Sequence, residues 1–346
     1  MKSESPATFS GRVRGLHVHN NEQVFSCRLR FRSTGPFAGR AQREAHMSGT
    51  LHDRYSILVH GGAFTDRIYL LGNTQLELIR SVVTHARDAL AGGAAALDVV
   101  VESIVKLEDS GLLDAGKGSF RNAANFTEMD AALMEGHTGN GGAVAAMQRL
   151  KNPIRAARIV LEKTPHVLFA GPVGEEIMVG LGAESVDDPA TYFVPCATPN
   201  KKDVGGPALG TVGAVALDRY GHLAAGTSTG GDPGKMPGRV GDTPIIGAST
   251  FANERYAISA TGLGERFILR SVARDIAMRS EYRNMPLQAA ADYVIEELIG
   301  RTDRADGAII AIGHDGEIVL SGANIAGMPH GYASRSADVT VGFELA

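Results

Sequence analysis

One junction in the chain combines a hydroxyl with a place to cut. It is Gly210-Thr211-Val212-Gly213, which opens the run Gly-Thr-Val-Gly-Ala-Val-Ala-Leu-Asp ending at Asp218. Thr211 has two readings. It is a β-branched residue starting a strand, or cleavage of the bond before it makes it a new N-terminus. A free N-terminal threonine carries its own base, because the α-amine (reference pKa about 8) lies beside the hydroxyl it must activate. Three further groups follow. Gly226-Thr227-Ser228-Thr229-Gly230-Gly231 brings hydroxyls to the end of an apolar run. Pro237-Gly238-Arg239-Val240-Gly241-Asp242 sets Arg239 near Asp242 in a glycine-flanked loop. An arginine offers a fork of donors to a carboxylate and an aspartate attracts an ammonium, so together they would recognise an α-amino acid headgroup. On their own they also make an ordinary surface ion pair. Ala260-Thr261-Gly262-Leu263-Gly264-Glu265 lies between a strand and a helix, where a hydroxyl and an N–H could stabilise an oxyanion or could simply cap the helix.

Gly226 to Gly230 also fits a Gly-x-Ser-x-Gly elbow with Ser228 as nucleophile. That motif needs a strand, a sharp turn and a helix, and Gly231-Asp232-Pro233-Gly234 is poor helix material. A serine hydrolase using Ser228 stands as an alternative, beside the plain reading of a polar strand end running into a glycine turn. Gly111 to Lys117 reads Gly-x-x-x-x-Gly-Lys, but Gly118 stands where a phosphate-binding loop needs Ser or Thr, and a helix precedes it. His17 and His19 have no third ligand near them in sequence, so no metal site is expected there.

Positioning these groups takes a large fold. The 346 residues, 44% apolar, suffice for one large core or two smaller ones. A net charge of −4 gives no reason to expect nucleic acid or a membrane as partner. No run approaches the ~18 apolar residues of a membrane span. Cys27 and Cys196, the two cysteines, stand in unlike contexts; this argues against a disulfide framework and for a reducing, cytoplasmic compartment. Residues 1–50 are rich in arginine and lack a sustained apolar stretch, so they are not a secretory signal. They are expected to be a basic, disordered extension or a mis-assigned start, with Met47 available.

Past them, Ser56 to His60 reads as a buried strand, and Thr74–Leu90 and Ala95–Leu107 as helices. Met129–Met134, Gly142–Met147 and His166–Ala170 read as strands. Asn152-Pro153 reads as an N-cap and first turn of a helix reaching Lys163. From Ser185 to Leu209 the pattern collapses into a flexible linker that ends on the Thr211 junction. After it come strands over Val212–Leu217, Leu223–Thr227, near Ile245 and over Tyr256–Ala260. Helices over Phe267–Met278 and Leu287–Ile299 follow, and a last hairpin turns at His314-Asp315-Gly316. Hairpins argue against a purely parallel sheet. Two antiparallel sheets packed face to face, with helices outside, fit the order.

Taken together these pieces resemble the plant-type asparaginases and isoaspartyl peptidases, which are N-terminal nucleophile hydrolases. The resemblance spans about residues 55–330. It rests on Gly210 to Ala216, Thr227 to Gly231, Pro237 to Pro244 and Thr261 to Glu265, with His60-Gly61-Gly62-Ala63, Ala115 to Gly118 and Met129-Asp130-Ala131 upstream. It implies an α+β fold, a four-layer αββα sandwich. Self-cleavage between Gly210 and Thr211 would divide the hydrolase domain into an α subunit over 51–210 and a β subunit over 211–346, paired as a dimer of αβ units. Carried over by position, Thr211 is the nucleophile and Thr229 supports it. Arg239 holds the substrate α-carboxylate, Asp242 and the Gly264 carbonyl hold its α-amine, and Thr261 and Gly262 form the oxyanion hole. No cofactor is required; a structural sodium ion would bind around Leu107 to Gly118. The implied substrates are small molecules, asparagine or isoaspartyl dipeptides. A glycosylasparaginase-like amidase and a catalytically silent binding protein are the alternatives. Three departures stand out: Asp114 where Asn is usual, Phe64 where Gly is usual, and an altered stretch over 119–127.

Overall fold

The computed structural model describes residues 52–65, 72–196, 210–299 and 306–345. The extension expected over 1–50 and the part of the expected linker over 197–209 lie outside the described residues.

The chain enters through β1 (Ser56–His60) and two amphipathic helices, α1 (Gly72–Ala91) and α2 (Ala96–Ser110). A single 3-10 turn over Gly116–Gly118 leads to the hairpin of β2 (Met129–Glu135) and β3 (Gly141–Met147). Then come α3 (Pro153–Lys163), β4 (Leu168–Ala170), α4 (Gly171–Gly180) and the short α5 (Pro189–Tyr192). Beyond the Thr211 junction are β5 (Val212–Leu217), β6 (Leu223–Thr229), β7 (Thr250–Ala252) and β8 (Tyr256–Gly262). The chain continues with α6 (Gly264–Arg270), α7 (Val272–Arg283) and α8 (Leu287–Ile299). It ends with β9 (Gly307–Gly313), β10 (Ile318–Ala323), β11 (His330–Ser334) and β12 (Thr340–Gly342).

Eight strands form one sheet in the order β12-β11-β1-β5-β6-β2-β3-β4, and four form a second in the order β10-β9-β8-β7. The β3–β4 pair is parallel; the other named pairs are antiparallel. Strand alternation sorts the side chains into separate cores. Val212, Ala214 and Ala216 of β5 join Ile57, Val59 and Ala224 against α1, α2 and α3. Val215 and Leu217, one residue out of phase, join Leu58 and Ala225 against Ala257, Ile310 and Ile312 of the second sheet. The far face of that sheet, with Ile258 and Ile309, packs on α6, α7 and α8. All of β5 is buried because both its faces are covered.

Several expectations change. The helix expected over Phe267–Met278 is two, broken at Ser271, whose left-handed φ of 49° turns the chain. No strand forms near Ile245: Ile246 makes an isolated bridge to Thr250, where β7 begins. α4, β11 and β12 were not expected. Asn152 does not cap α3 with its side chain; Glu108 Oε1 accepts the Ile154 N–H instead, at 3.1 Å. The described part of the expected linker is anchored, since Phe193 is fully buried and the N–H groups of Val194 and Cys196 bond the Lys117 and Gly118 carbonyls. Phe64 is buried too, with its N–H on the Gly327 carbonyl and its ring edge-on to Phe343. A larger residue at that position ties the loop after β1 to the end of the chain. Among the described residues no helix is long and apolar enough to cross a membrane.

Candidate active site

Thr211 directly precedes β5, between β1 and β6. The β5–β6 register sets Val212 against Ser228, so one step back Thr211 faces Thr229. Their hydroxyls meet: Thr211 Oγ1 donates to Thr229 Oγ1 at 3.1 Å. Thr229 Oγ1 also accepts the Gly231 N–H at 3.0 Å, so a main-chain donor fixes the hydroxyl that receives the Thr211 proton. Alternation sends Ser228 the other way, into the helix-side layer, where its hydroxyl donates to Glu108 Oε1 at 2.6 Å. Ser228 is fully buried and faces away from Thr211, which removes it as a nucleophile.

The loop after β1 closes on the same junction. A Cβ on Gly62, whose φ is 93°, would collide with the Gly210 carbonyl oxygen, so glycine alone lets this backbone lie against the Gly210–Thr211 peptide. His60 Nδ1 accepts the Gly62 N–H at 3.3 Å, Nε2 pairs with Ser259 Oγ at 3.1 Å, and the Thr211 main chain hydrogen-bonds the ring. Burial lowers the His60 pKa to about 3, so the imidazole is neutral and acts as a spacer rather than a base. Ser259 continues to Thr227 Oγ1 at 2.8 Å, which accepts from Thr250 Oγ1 at 2.6 Å. This row of hydroxyls crosses between the two sheets.

Thr261 lies at the end of β8 and is 3% exposed. Its Oγ1 accepts the Ala63 N–H at 3.4 Å, which leaves its own hydroxyl hydrogen for another oxygen. Gly262 ends the strand with φ 147°. Two residues on, Gly264 opens α6, and its missing side chain matters: a Cβ there would stand 2.7 Å from Asp242 Oδ1 and 2.9 Å from Arg239 Nη2. The three residues expected to grip a headgroup therefore converge.

Arg239 and Asp242 are not a surface ion pair with each other. Arg239 Nε and Nη2 bond Glu265 at 2.9 and 3.0 Å, and Nη2 pairs with Asp232 at 3.2 Å. Asp242 is buried, and its Oδ2 has no hydrogen-bond partner among the described residues. Burial raises its pKa to about 7. A buried acceptor without a donor is costly unless something fills the space, and an ammonium is the complementary group.

The contacts close a ring. Thr211 touches Thr229; Asp232 pairs with Arg239; Arg239 and Asp242 border Gly264; Thr261 touches Ala63; Gly62 abuts Gly210. Thr211, Thr229, Thr261, Gly262, Arg239, Asp242 and Gly264 thus belong to one site. His60, Ser259, Asp232 and Glu265 also shape it. No spacing in the sequence singled them out, although His60 and Glu265 stand inside the motifs that carry the resemblance.

Asp114 lies beside this ring. Its carboxyl accepts the Phe120 N–H at 2.8 Å and its carbonyl accepts that of Gly230 at 3.0 Å. Burial pushes the carboxyl well above the ordinary carboxylate range, against the pull of the Phe120 N–H and the Lys235 charge. Among the described residues no group of three or more His, Cys, Asp or Glu side chains is arranged to hold a metal ion.

A family model described as Asparaginase matches residues 53–195 and 192–342. An "Isoaspartyl peptidase" of Salmonella typhimurium is 37% identical over 284 residues, 76% of this chain and 90% of the relative. A "Probable isoaspartyl peptidase/L-asparaginase 2" of Arabidopsis thaliana is 35% identical over 320 residues, 81% of this chain and 96% of the relative. An "Isoaspartyl peptidase/L-asparaginase" of Danio rerio is 32% identical over 279 residues, 75% of this chain and 86% of the relative.

Proposed function

The chain belongs to the asparaginase family, and from that premise we propose that it is a self-processing threonine hydrolase. It removes β-aspartyl residues from isoaspartyl dipeptides and hydrolyses L-asparagine to L-aspartate and ammonia. One observation carries the reading: the 3.1 Å hydrogen bond from Thr211 Oγ1 to Thr229 Oγ1, at a Gly–Thr peptide in the ring that also holds Arg239 and Asp242. The names of the relatives supply the substrate class. The separate apolar cores support a four-layer αββα sandwich.

In processing, the Thr211 hydroxyl adds to the Gly210 carbonyl and passes its proton toward Thr229. The C–N bond breaks as the nitrogen takes a proton, and the acyl group moves to Oγ1. Water cleaves that ester, which leaves an α chain ending in a Gly210 carboxylate and a β chain beginning with a free Thr211 amine. By family resemblance the product assembles as a dimer of αβ units. The freed amine, when neutral, is the base. It takes the hydroxyl proton as Oγ1 attacks the side-chain carbonyl of the substrate. Thr261 and Gly262 stabilise the oxyanion. The departing amine takes the proton, and water then hydrolyses the β-aspartyl ester on Thr211. Arg239 binds the α-carboxylate through the N–H groups that Glu265 and Asp232 leave open, and Asp242 Oδ2 with the Gly264 carbonyl receives the α-ammonium.

By family resemblance a structural sodium ion would bind around the stretch Leu107 to Gly118. α2 ends there with its carbonyl pole. Oxygen donors are what a hard cation takes. The ion would hold the loop, and no step of the reaction runs through it.

Assay of processed protein with β-Asp-Leu, α-Asp-Leu and asparagine tests the reading. Turnover of the β-linked peptide and of asparagine is expected, with the α-linked peptide left intact. Equal cleavage of both linkages would contradict the headgroup grip.

A further inference from the structure

Arg239 and Asp242 sit on a segment, 230–245, that has no helix or strand of its own. A loop that must aim a guanidinium to within a fraction of an ångström needs anchors in something rigid. Those anchors come from Glu128, the residue before β2, and Asp130, its second residue. The Gly238 N–H points at both carboxylate oxygens of Glu128, at 3.1 and 3.0 Å. The Gly241 N–H reaches Asp130 Oδ2 at 3.4 Å. Glu128 and Asp130 are two apart, so they project from the same face of the extended chain. Gly238 and Gly241 stand on either side of Arg239.

Each anchor is itself fixed. Glu128 Oε2 accepts from Asn122 Nδ2 at 2.8 Å, and Asn122 Oδ1 accepts the N–H groups of Ala124 and Phe126. The Glu128 carbonyl accepts from Lys235 Nζ at 2.8 Å, which ties the loop at a third point. Asp130 Oδ1 accepts the Ala146 N–H at 2.8 Å. Glu128 is 4% exposed, and Lys235, 6% exposed, brings a positive charge toward Asp130 and Asp114. By contrast Glu265 and Asp232, which hold the guanidinium itself, are more than half exposed. They orient the end of Arg239 and leave its backbone to the strand.

We infer that Glu128, seconded by Asp130, is the positioning residue of the substrate-recognition loop: it fixes the backbone from which Arg239 reaches the substrate carboxylate. This rests on the reading of Arg239 as the carboxylate anchor. Glu128 precedes the Gly210–Thr211 bond and Arg239 follows it, so in the cleaved protein the α chain holds the β chain's recognition loop. Substitution at Glu128 leaves the Gly238 N–H and the Asn122 amide without their acceptor. Thr211 and Thr229, held by strands, keep their places. The loss therefore falls on KM.

The test is a double-mutant cycle on processed protein with asparagine. Glu128→Ala should raise KM about tenfold, the weight of one charge-assisted hydrogen bond, with kcat within about threefold and cleavage at Gly210 complete by mass spectrometry. Glu128→Gln keeps the Oε1 acceptor for Gly238 and loses the Asn122 bond, so its KM rise should be smaller, about threefold. It also serves should the alanine variant not fold. In an Arg239→Ala background either substitution should change KM less than about twofold, because Glu128 acts through Arg239. An unaltered KM in both Glu128 variants, or effects that add to that of Arg239→Ala, would overturn the positioning role. An unaltered KM in Arg239→Ala alone would instead overturn the carboxylate anchor on which it rests.

Discussion

The nucleophile corner and the recognition loop are built by opposite means. Thr211 and Thr229 sit at the ends of paired strands in the middle of an eight-stranded sheet, where ladder register alone brings their hydroxyls within 3.1 Å. Arg239 and Asp242 sit on irregular chain, held by the carboxylates of Glu128, just before β2, and Asp130, within it. The corner is rigid because its neighbours are strands. The loop is rigid only while its anchors are present. The reaction step should therefore respond to few substitutions and severely, and substrate affinity to more of them and by degrees.

The largest effect expected is at the corner. In the proposed mechanism Thr211→Ala removes the hydroxyl that performs both the N-to-O shift and the attack, so the chain should stay whole and turnover should fall by about four orders of magnitude or more. An alanine variant that still cuts itself would break the comparison at once. Next comes the loop. Arg239→Ala should raise KM about 10- to 100-fold, from ~1.5–3 kcal/mol for a charged hydrogen bond, with a smaller change in kcat. A fall confined to kcat would place Arg239 in the corner's work instead.

pH should separate the two regions. In the proposed grip Asp242 holds the ammonium only as a carboxylate, and burial raises its pKa to about 7. As pH falls below that value the acid form takes over, and KM should rise about tenfold per unit. The Thr211 amine must be neutral to act as base, so kcat should fall as pH drops below about 8, its reference pKa. Asp242→Asn should raise KM and remove its pH dependence while leaving the kcat profile in place. Coincident profiles that both survive the substitution would show that the two regions do not titrate independently.

The smallest effect expected is at Ser228, next to the corner and outside it. Ser228→Ala should leave kcat/KM within about threefold and cost about 1 kcal/mol of stability. Burial raises the Glu108 pKa to about 8, and the Ser228 hydroxyl opposes that shift. The ionised form of Glu108 loses more than the protonated form when the donor is removed. The stability cost should therefore grow as pH rises through about 8. Thermal melts at two pH values measure it; abolished turnover in a folded variant would return Ser228 to the site.

Much of the corner was legible in the sequence. Strand alternation places Thr211 and Thr229 on one face, and the same period sends Ser228 to the other, so a Gly-x-Ser-x-Gly match dissolves once β6 is drawn. The loop was legible only as motifs. Arg239 and Asp242 suggested a headgroup grip, but sequence spacing could not show that Glu265 and Asp232 occupy the guanidinium or that Asp242 has an unpartnered oxygen. Those facts depend on contacts between segments far apart in the chain. The break in the helix expected over Phe267–Met278 and the anchoring of Phe193 escaped too. One left-handed residue and one buried ring decide them, and neither leaves a periodic trace.

The central claim is that cutting before Thr211 creates the base and exposes the nucleophile together. Intact mass and N-terminal mapping of freshly purified protein, followed over time alongside asparagine turnover, test it most directly. The account predicts fragments of residues 1–210 and 211–346, with activity rising in step with the fragment that begins at Thr211. A chain that stays whole and is fully active, or a mature N-terminus at any other residue, would contradict it.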